Sequence, residues 1–203
     1  MSDNSNIAST DSEELDLLAR IADEDTHALA QLYERYRNKL GAFLRSKLFE
    51  EKLADEVYND VMFIVWNKAS EFKGGSRVST WIFGIAYRTC MAHGRKEQKH
   101  NKNVSQVDLD ALAQPIQSKE IDQAQSVRDA LVELSPDHRE AIELAYFLGH
   151  SIDEIAHITD TPSNTVKTRL FHARQNLKKV LTVELDDTPL TTSGANDKKI
   201  RVH

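Results

Sequence analysis

Apolar residues recur along this chain three and four positions apart, the spacing that lines one side of an α-helix, and no stretch reads as a sheet. Thr10-Asp-Ser-Glu13 is a capping-box pattern that predicts a first helix over Leu15, Leu18 and Ile21. The polar residues 1–11 are expected to be disordered. A second helix after Thr26 carries Leu29, Leu32, Tyr33, Tyr36, Leu40, Phe43, Leu44 and Leu48 on one side. A third passes through Val57, Val61, Ile64 and Val65 to about Ala69. A fourth starts near Ser79 with Trp81, Ile82, Ile85, Ala86 and Thr89.

Between 98 and 118 the chain is polar, loses its period and contains Pro115, which predicts a flexible linker. The helical period resumes at Ile121, Ala124, Val127, Leu131 and Leu134. Ser135-Pro136 then supplies a cap followed by proline at the first helical position, and Gly149 suits the stop of that helix. Residues 186–203 are expected to form a disordered tail. The expected fold is all-α, with a helical domain at 12–97 and a second at 119–185 joined by the linker.

The second domain holds the clearest local signal. Ser151-Ile-Asp-Glu154 is a second capping box, opening a short helix with Ile152, Ile155, Ala156 and Ile158 inward and a stop at Thr161-Pro162. Ser163 or Asn164 is placed to cap the next helix, where Val166, Leu170, Ala173, Leu177 and Val180 face the core. Its other side carries Lys167, Thr168, Arg169, His172, Arg174 and Lys178, with no acid from Ser163 to Lys179. A short helix, a tight turn and a basic second helix with polar first residues form a helix-turn-helix suited to a DNA major groove. Short polar side chains reach base edges there while cations hold phosphates. The plainer reading is an αα-hairpin with a solvated basic face.

Composition alters this picture through distribution more than through totals. Net charge is −6 over 203 residues, which alone argues against nucleic acid. Yet Lys68, Lys73, Arg77, Arg88, Arg95, Lys96, Lys99 and Lys102 face only Glu71 and Glu97 across one stretch. Two basic surfaces set against acidic ones imply two kinds of partner. A lone Cys90 excludes a disulfide framework, and no secretion signal or apolar run long enough for a membrane span is present. The expectation is a cytoplasmic protein without membrane insertion. No nucleophile–base pair or phosphate cradle is evident, so a non-enzymatic protein without cofactor or metal is expected.

Asp55, Glu56 and Asp60 form an acidic side on the third helix, suited to a basic protein partner or simply to solvent. After it, Glu71-Phe-Lys-Gly-Gly-Ser-Arg77 leads into a helix with Trp81 and Arg88. Basic groups interleaved with rings suit unpaired strands, whose phosphates need cations and whose bases stack on aromatics. A tryptophan at helical spacing equally suits a core. Glu97-x-x-His100 and Glu154-x-x-His157 match the carboxylate–imidazole spacing of di-iron bundles, although the first lies among lysines and Glu154 serves better as a cap.

The order of parts resembles an RNA polymerase sigma factor of the extracytoplasmic-function group: an acidic helix ending in Val-Trp, Phe-Lys-Gly-Gly-Ser, Thr-Trp-Ile, a linker, Leu134-Ser-Pro, and Thr165-Val-Lys-Thr-Arg-Leu-Phe-His-Ala-Arg174. The resemblance spans about residues 12–182. It implies binding to core RNA polymerase through Asp55, Glu56 and Asp60. It implies capture and melting of the promoter minus-ten element by Phe72, Lys73, Gly74, Ser76, Arg77, Trp81 and Arg88. Reading of the minus-thirty-five element would fall to Ser163, Asn164, Thr165, Lys167, Thr168, Arg169, Phe171, His172 and Arg174. An anti-sigma protein is a typical further partner of the group. Three departures stand out: Leu53 where the group's acidic helix begins with Asp, Arg88 where a small polar residue is frequent, and His172 where arginine is common.

Overall fold

The structure, a computed structural model, describes residues 3–48, 50–100, 130–131 and 133–186. Among these there is no strand. Helix α1 spans Asp3–Ala22, α2 Thr26–Lys47 and α3 Glu51–Lys68, followed by a single tight turn at Ala69–Glu71; α4 runs Val78–His100. After the undescribed stretch come α5 (Pro136–Ile142), a π-helical turn (Glu143–Phe147), α6 (Ile152–Thr159) and α7 (Ser163–Asp186).

Local chemistry explains most of these limits. Asp25 starts α2 because one carboxylate oxygen accepts from the His27 and Ala28 amides, while the other is held by Arg20 at 2.7 Å. Gly149 adopts φ +72, the left-handed turn that glycine takes without strain, and ends the α5 region as expected. Both bonds of the Ser151/Glu154 capping box are formed.

Helix α1 differs from expectation in two respects. It begins at Asp3, so residues 3–11 are helix where disorder was expected, and Thr10–Glu13 lies inside it. Its buried side is Glu14, Leu17, Leu18 and Ile21, leaving Leu15 exposed. A buried carboxyl displaces the leucine because the Tyr36 hydroxyl donates to Glu14 at 2.9 Å, satisfying a group that burial would otherwise penalise. Burial also raises the Glu14 pKa, and the tyrosine bond opposes that shift.

Helices α1 to α4 pack around Leu32, Leu40, Leu44, Val57, Val61, Val65, Ile82 and Phe83, all essentially closed to solvent. In the second group Ile155, Ile158, Val166, Leu170 and Ala173 close the core between α6 and α7. The two groups also join. Ile82, Phe83, Gly84, Ile85 and Ala86 are consecutive and buried, which requires α4 to be covered on more than one side. The second cover is α6. The predicted linker lies outside the described residues except for 98–100, which continue α4; the tail beyond Asp186, and most of the helix expected over 121–134, also lie outside them.

Candidate nucleic-acid interface

Helix α7 offers the more complete surface. Val166, Leu170 and Ala173 turn inward, which leaves Asn164, Thr165, Lys167, Thr168, Phe171, His172 and Arg174 exposed, with Ser163 and Arg169 partly so. The Thr168 hydroxyl donates back to the Asn164 carbonyl at 3.0 Å, and Arg174 Nε to the Leu170 carbonyl at 3.1 Å. Ser163 does not cap α7. It is the first helical residue, and its hydroxyl donates to Asp153 on α6 at 2.8 Å, tying the two helices across the turn.

Two participants are absent from any local pattern. Asp137 in the first turn of α5 accepts from Arg169 at 2.5 Å. The ring of His138 lies near-parallel to His172, centroids 6.2 Å apart, and Phe171 meets His172 edge-on at 5.4 Å. Arg169 is thus held by an acid, and His172 sits between two rings.

The loop before α4 has the expected parts in a different arrangement. Lys73 and Gly74 are exposed, and Gly74 has φ +71, so the Gly-Gly pair needs glycine's freedom at its first member. Phe72 packs on Trp81 at 5.3 Å between centroids, and both are half-buried against the core. Trp81 therefore serves the core on one side and stays partly accessible on the other. The Ser76 hydroxyl turns back to the Arg77 carbonyl at 3.3 Å, and Arg88 is exposed along α4.

Arg77 turns away from solvent and joins the second group. Its Nε lies 2.5 Å from Glu154 Oε1, and its Nη2 donates to Glu154 Oε2 at 3.1 Å and to the Gly149 carbonyl at 3.2 Å. The Thr80 hydroxyl also donates to Glu154 Oε1, at 2.7 Å. Partial burial works to raise the Glu154 pKa, but the bonds from Arg77, Ser151 and Thr80 outweigh it and hold the carboxyl down at about 2. Beside this cluster His150 is buried edge-on against Phe83, and neither ring nitrogen has a partner. Burial pushes its pKa down to about 4, with Arg77 and Lys39 acting in the same direction and Glu154 opposing. A second polar contact links the groups where half-buried Lys47 lies 3.2 Å from buried Glu140 and 3.5 Å from buried Glu143. Above the Arg77 contact a cleft of about 580 Å³ opens between the groups, lined in part by Arg35, Lys39, Tyr146 and Phe147.

On α3, Asp55, Glu56 and Asp60 are exposed together, and Asp60 approaches His93 at 3.3 Å. Phe63 lies one turn on and is 67% exposed, an apolar addition to the acidic side that a helical wheel would have placed there. No group of three or more metal-ligating side chains occurs among the described residues. Glu154 is committed to its cap and to Arg77, and the side chains of Glu97 and His100 lie outside the described residues. No helix among the described residues is long and apolar enough to cross a membrane.

Residues 32–100 match the model of sigma-70 region 2, and residues 124–177 match that of sigma-70 region 4. Among curated proteins the chain is similar to the ECF RNA polymerase sigma factor SigK of Mycobacterium sp. (strain JLS), 27% identical over 81% of this chain and 89% of the relative. It is also 27% identical to SigK of Mycobacterium tuberculosis (strain ATCC 25618 / H37Rv), over 82% and 92%. Among solved structures it resembles the sigma factor RpoE of Bartonella quintana, determined with the anti-sigma factor NepR, at TM-score 0.62 and 28% identity over 78% of this chain and 97% of that one. CnrH in complex with the cytosolic domain of CnrY shares the fold at TM-score 0.59 and 21% identity, over 85% and 99%.

Proposed function

Because the chain belongs to the extracytoplasmic-function group of sigma-70-type RNA polymerase sigma factors, we propose a division of labour among its surfaces. The protein is a non-catalytic transcription initiation factor that binds core RNA polymerase and directs it to promoters. In our reading residues 12–97 carry polymerase binding and minus-ten capture, and residues 119–185 read the minus-thirty-five element. The work is done in the cytoplasm, where polymerase and chromosome are found.

The observation that carries this reading is the exposed, acid-free face of α7, with Lys167, Thr168, Phe171, His172 and Arg174 set over a buried Val166, Leu170 and Ala173. Lysine and arginine there anchor phosphates and set register, and Thr168 and Arg169 reach for base edges. His172, near-parallel to His138 and met edge-on by Phe171, offers a single-point hydrogen bond in place of a bidentate guanine contact. On the other half, Lys73 binds phosphate, Phe72 and Trp81 receive an extruded base, and Gly74 lets the strand approach the backbone. Extruding a base costs a few kcal/mol, which these contacts offset. Arg77 and Arg88 add charge to the same strand path. Asp55, Glu56 and Asp60 meet a basic surface of the polymerase clamp. An anti-sigma protein is the expected antagonist, by analogy with the Bartonella relative's complex.

Run-off transcription with core polymerase tests the assignment. Promoter-dependent transcripts from sites selected out of random DNA by the holoenzyme are expected, and Lys73→Ala with Phe72→Ala should abolish them while duplex binding by α7 persists. Transcription undiminished by that pair would overturn the minus-ten assignment.

A further inference from the structure

We propose that in the free chain Glu154 latches the promoter loop onto the helix-turn-helix, so that Arg77 is withheld from DNA until a partner pulls the two halves apart. The consequence for DNA rests on the reading of Arg77 as a strand-binding group, whereas the latch itself rests on geometry alone.

Glu154 is unusual in how fully it is used. Oε1 accepts from Arg77 Nε at 2.5 Å and Thr80 at 2.7 Å, and Oε2 accepts from Arg77 Nη2 at 3.1 Å and the Ser151 amide at 2.8 Å. Four donors fill the roughly four acceptor positions of a carboxylate. Three of the four come from the other half of the molecule. Arg77 meanwhile spends its planar fork on this one group and on the Gly149 carbonyl, both on the far side of the interface. A DNA phosphate would approach the same fork, so the carboxylate and the strand compete for one site. The residue just before α4 and the capping-box glutamate of the helix-turn-helix are therefore the two ends of a single contact.

The same interface is also built to open. His150 beside the latch is 4% exposed, and both of its nitrogens lack a partner. Glu143 Oε1, in the second polar contact, is orphaned too. Water would satisfy these atoms once the halves separate, so closure carries a penalty that opening relieves. Charged groups at the seam, of which Arg77 is 29% and Glu154 19% exposed, belong to an interface that exchanges partners more than to a permanent core. The two terms oppose each other, and such a balance lets a modest binding energy change the populated state.

The test uses the full chain labelled with a donor and acceptor dye at Asn38→Cys and Gln175→Cys, both exposed positions, while Cys90 stays buried and unlabelled. Single-molecule transfer should show a closed population in the free protein. Glu154→Gln keeps the capping box, which accepts glutamine, but removes the charge that holds Arg77. It should shift the closed-to-open ratio by about tenfold toward open, the effect of losing a charged hydrogen bond. His150→Leu removes the orphaned nitrogens and should shift the ratio the other way. An unchanged distance distribution in Glu154→Gln, or opening in His150→Leu, would overturn the latch. Binding of a labelled single-stranded oligonucleotide is then measured for the same proteins, and Glu154→Gln should bind it several-fold more tightly. An opened variant without that gain overturns the consequence for DNA, and adding Arg77→Ala to it shows whether Arg77 touches the strand at all.

Discussion

Arg169 stands between a carboxylate of its own chain and the duplex it is proposed to read. Asp137 takes one of its N–H groups at 2.5 Å and leaves the side chain partly exposed. Arg169→Ala should therefore weaken duplex binding by roughly 1–3 kcal/mol, read by fluorescence anisotropy, and leave polymerase binding intact. His150 makes a prediction of opposite character. Its pKa is held at about 4 by burial, against 6.5 when exposed, with Glu154 opposing and Arg77 and Lys39 reinforcing the shift. Between those values the unfolded chain takes up a proton that the folded chain refuses, so stability falls as pH drops from 6.5 to 4 and is unaffected above. The His150 contribution lost by pH 4 is on the order of 3 kcal/mol. Urea titrations of wild type and His150→Leu should diverge across that window, with the variant losing less, and the variant should be about 1 kcal/mol more stable at pH 7. Neither Asp137 nor His150 was legible as a functional neighbour. Each owes its role to a residue distant in sequence, and no local pattern encodes that distance.

At the scale of the element, the short helix α6 shows how far local rules reach. Eight residues are too few to hold a helix by propensity, so its start and stop matter. Ser151→Ala removes one arm of the capping box and should cost about 1 kcal/mol in a chemical denaturation experiment. Gly149→Ala would place a side chain at φ +72 and should cost a similar amount, about 1 kcal/mol, although nothing crowds the position. Both features were readable because they depend on residues within a turn of one another. The face of α1 was not. Leu15 and Leu17 are equally apolar, and the choice fell to Leu17 once Glu14 found Tyr36 on the next helix. Helix α4 was half legible: Ile82, Ile85 and Ala86 mark one buried side, while Phe83 meets Phe43 of α2 and, across the seam, His150. The unbroken apolar run from Trp81 to Ala86 was the available signal that a second side is covered.

At the scale of the whole molecule, the exposed acids Asp55, Glu56 and Asp60 and the exposed cations Lys167 and Arg174 sit on different helices in different halves. The acidic side of α3 and the acid-free face of α7 can thus address a protein and a nucleic acid without competing. Replacing Asp55 and Glu56 by Lys should abolish capture of core polymerase in a pull-down and leave duplex binding unchanged. Lys47 joins the halves differently, as the cation between two buried carboxylates. Lys47→Met leaves both uncompensated and should destabilise the chain by about 3 kcal/mol or more, measured by thermal unfolding. The sequence by itself determined the helical class, the acidic and basic faces, the Ser151/Glu154 capping box and the helix-turn-helix, whereas the Thr10–Glu13 pattern fell inside α1 and capped nothing. These follow from spacing within one or two turns, where backbone geometry fixes which side chains share a face. Only the tertiary structure decided that Arg77 faces Glu154, that His150 lies against Phe83 and that Lys47 reaches Glu140. Those pairings join halves separated by a long stretch of chain, and helical periodicity says that a face is buried without saying against what.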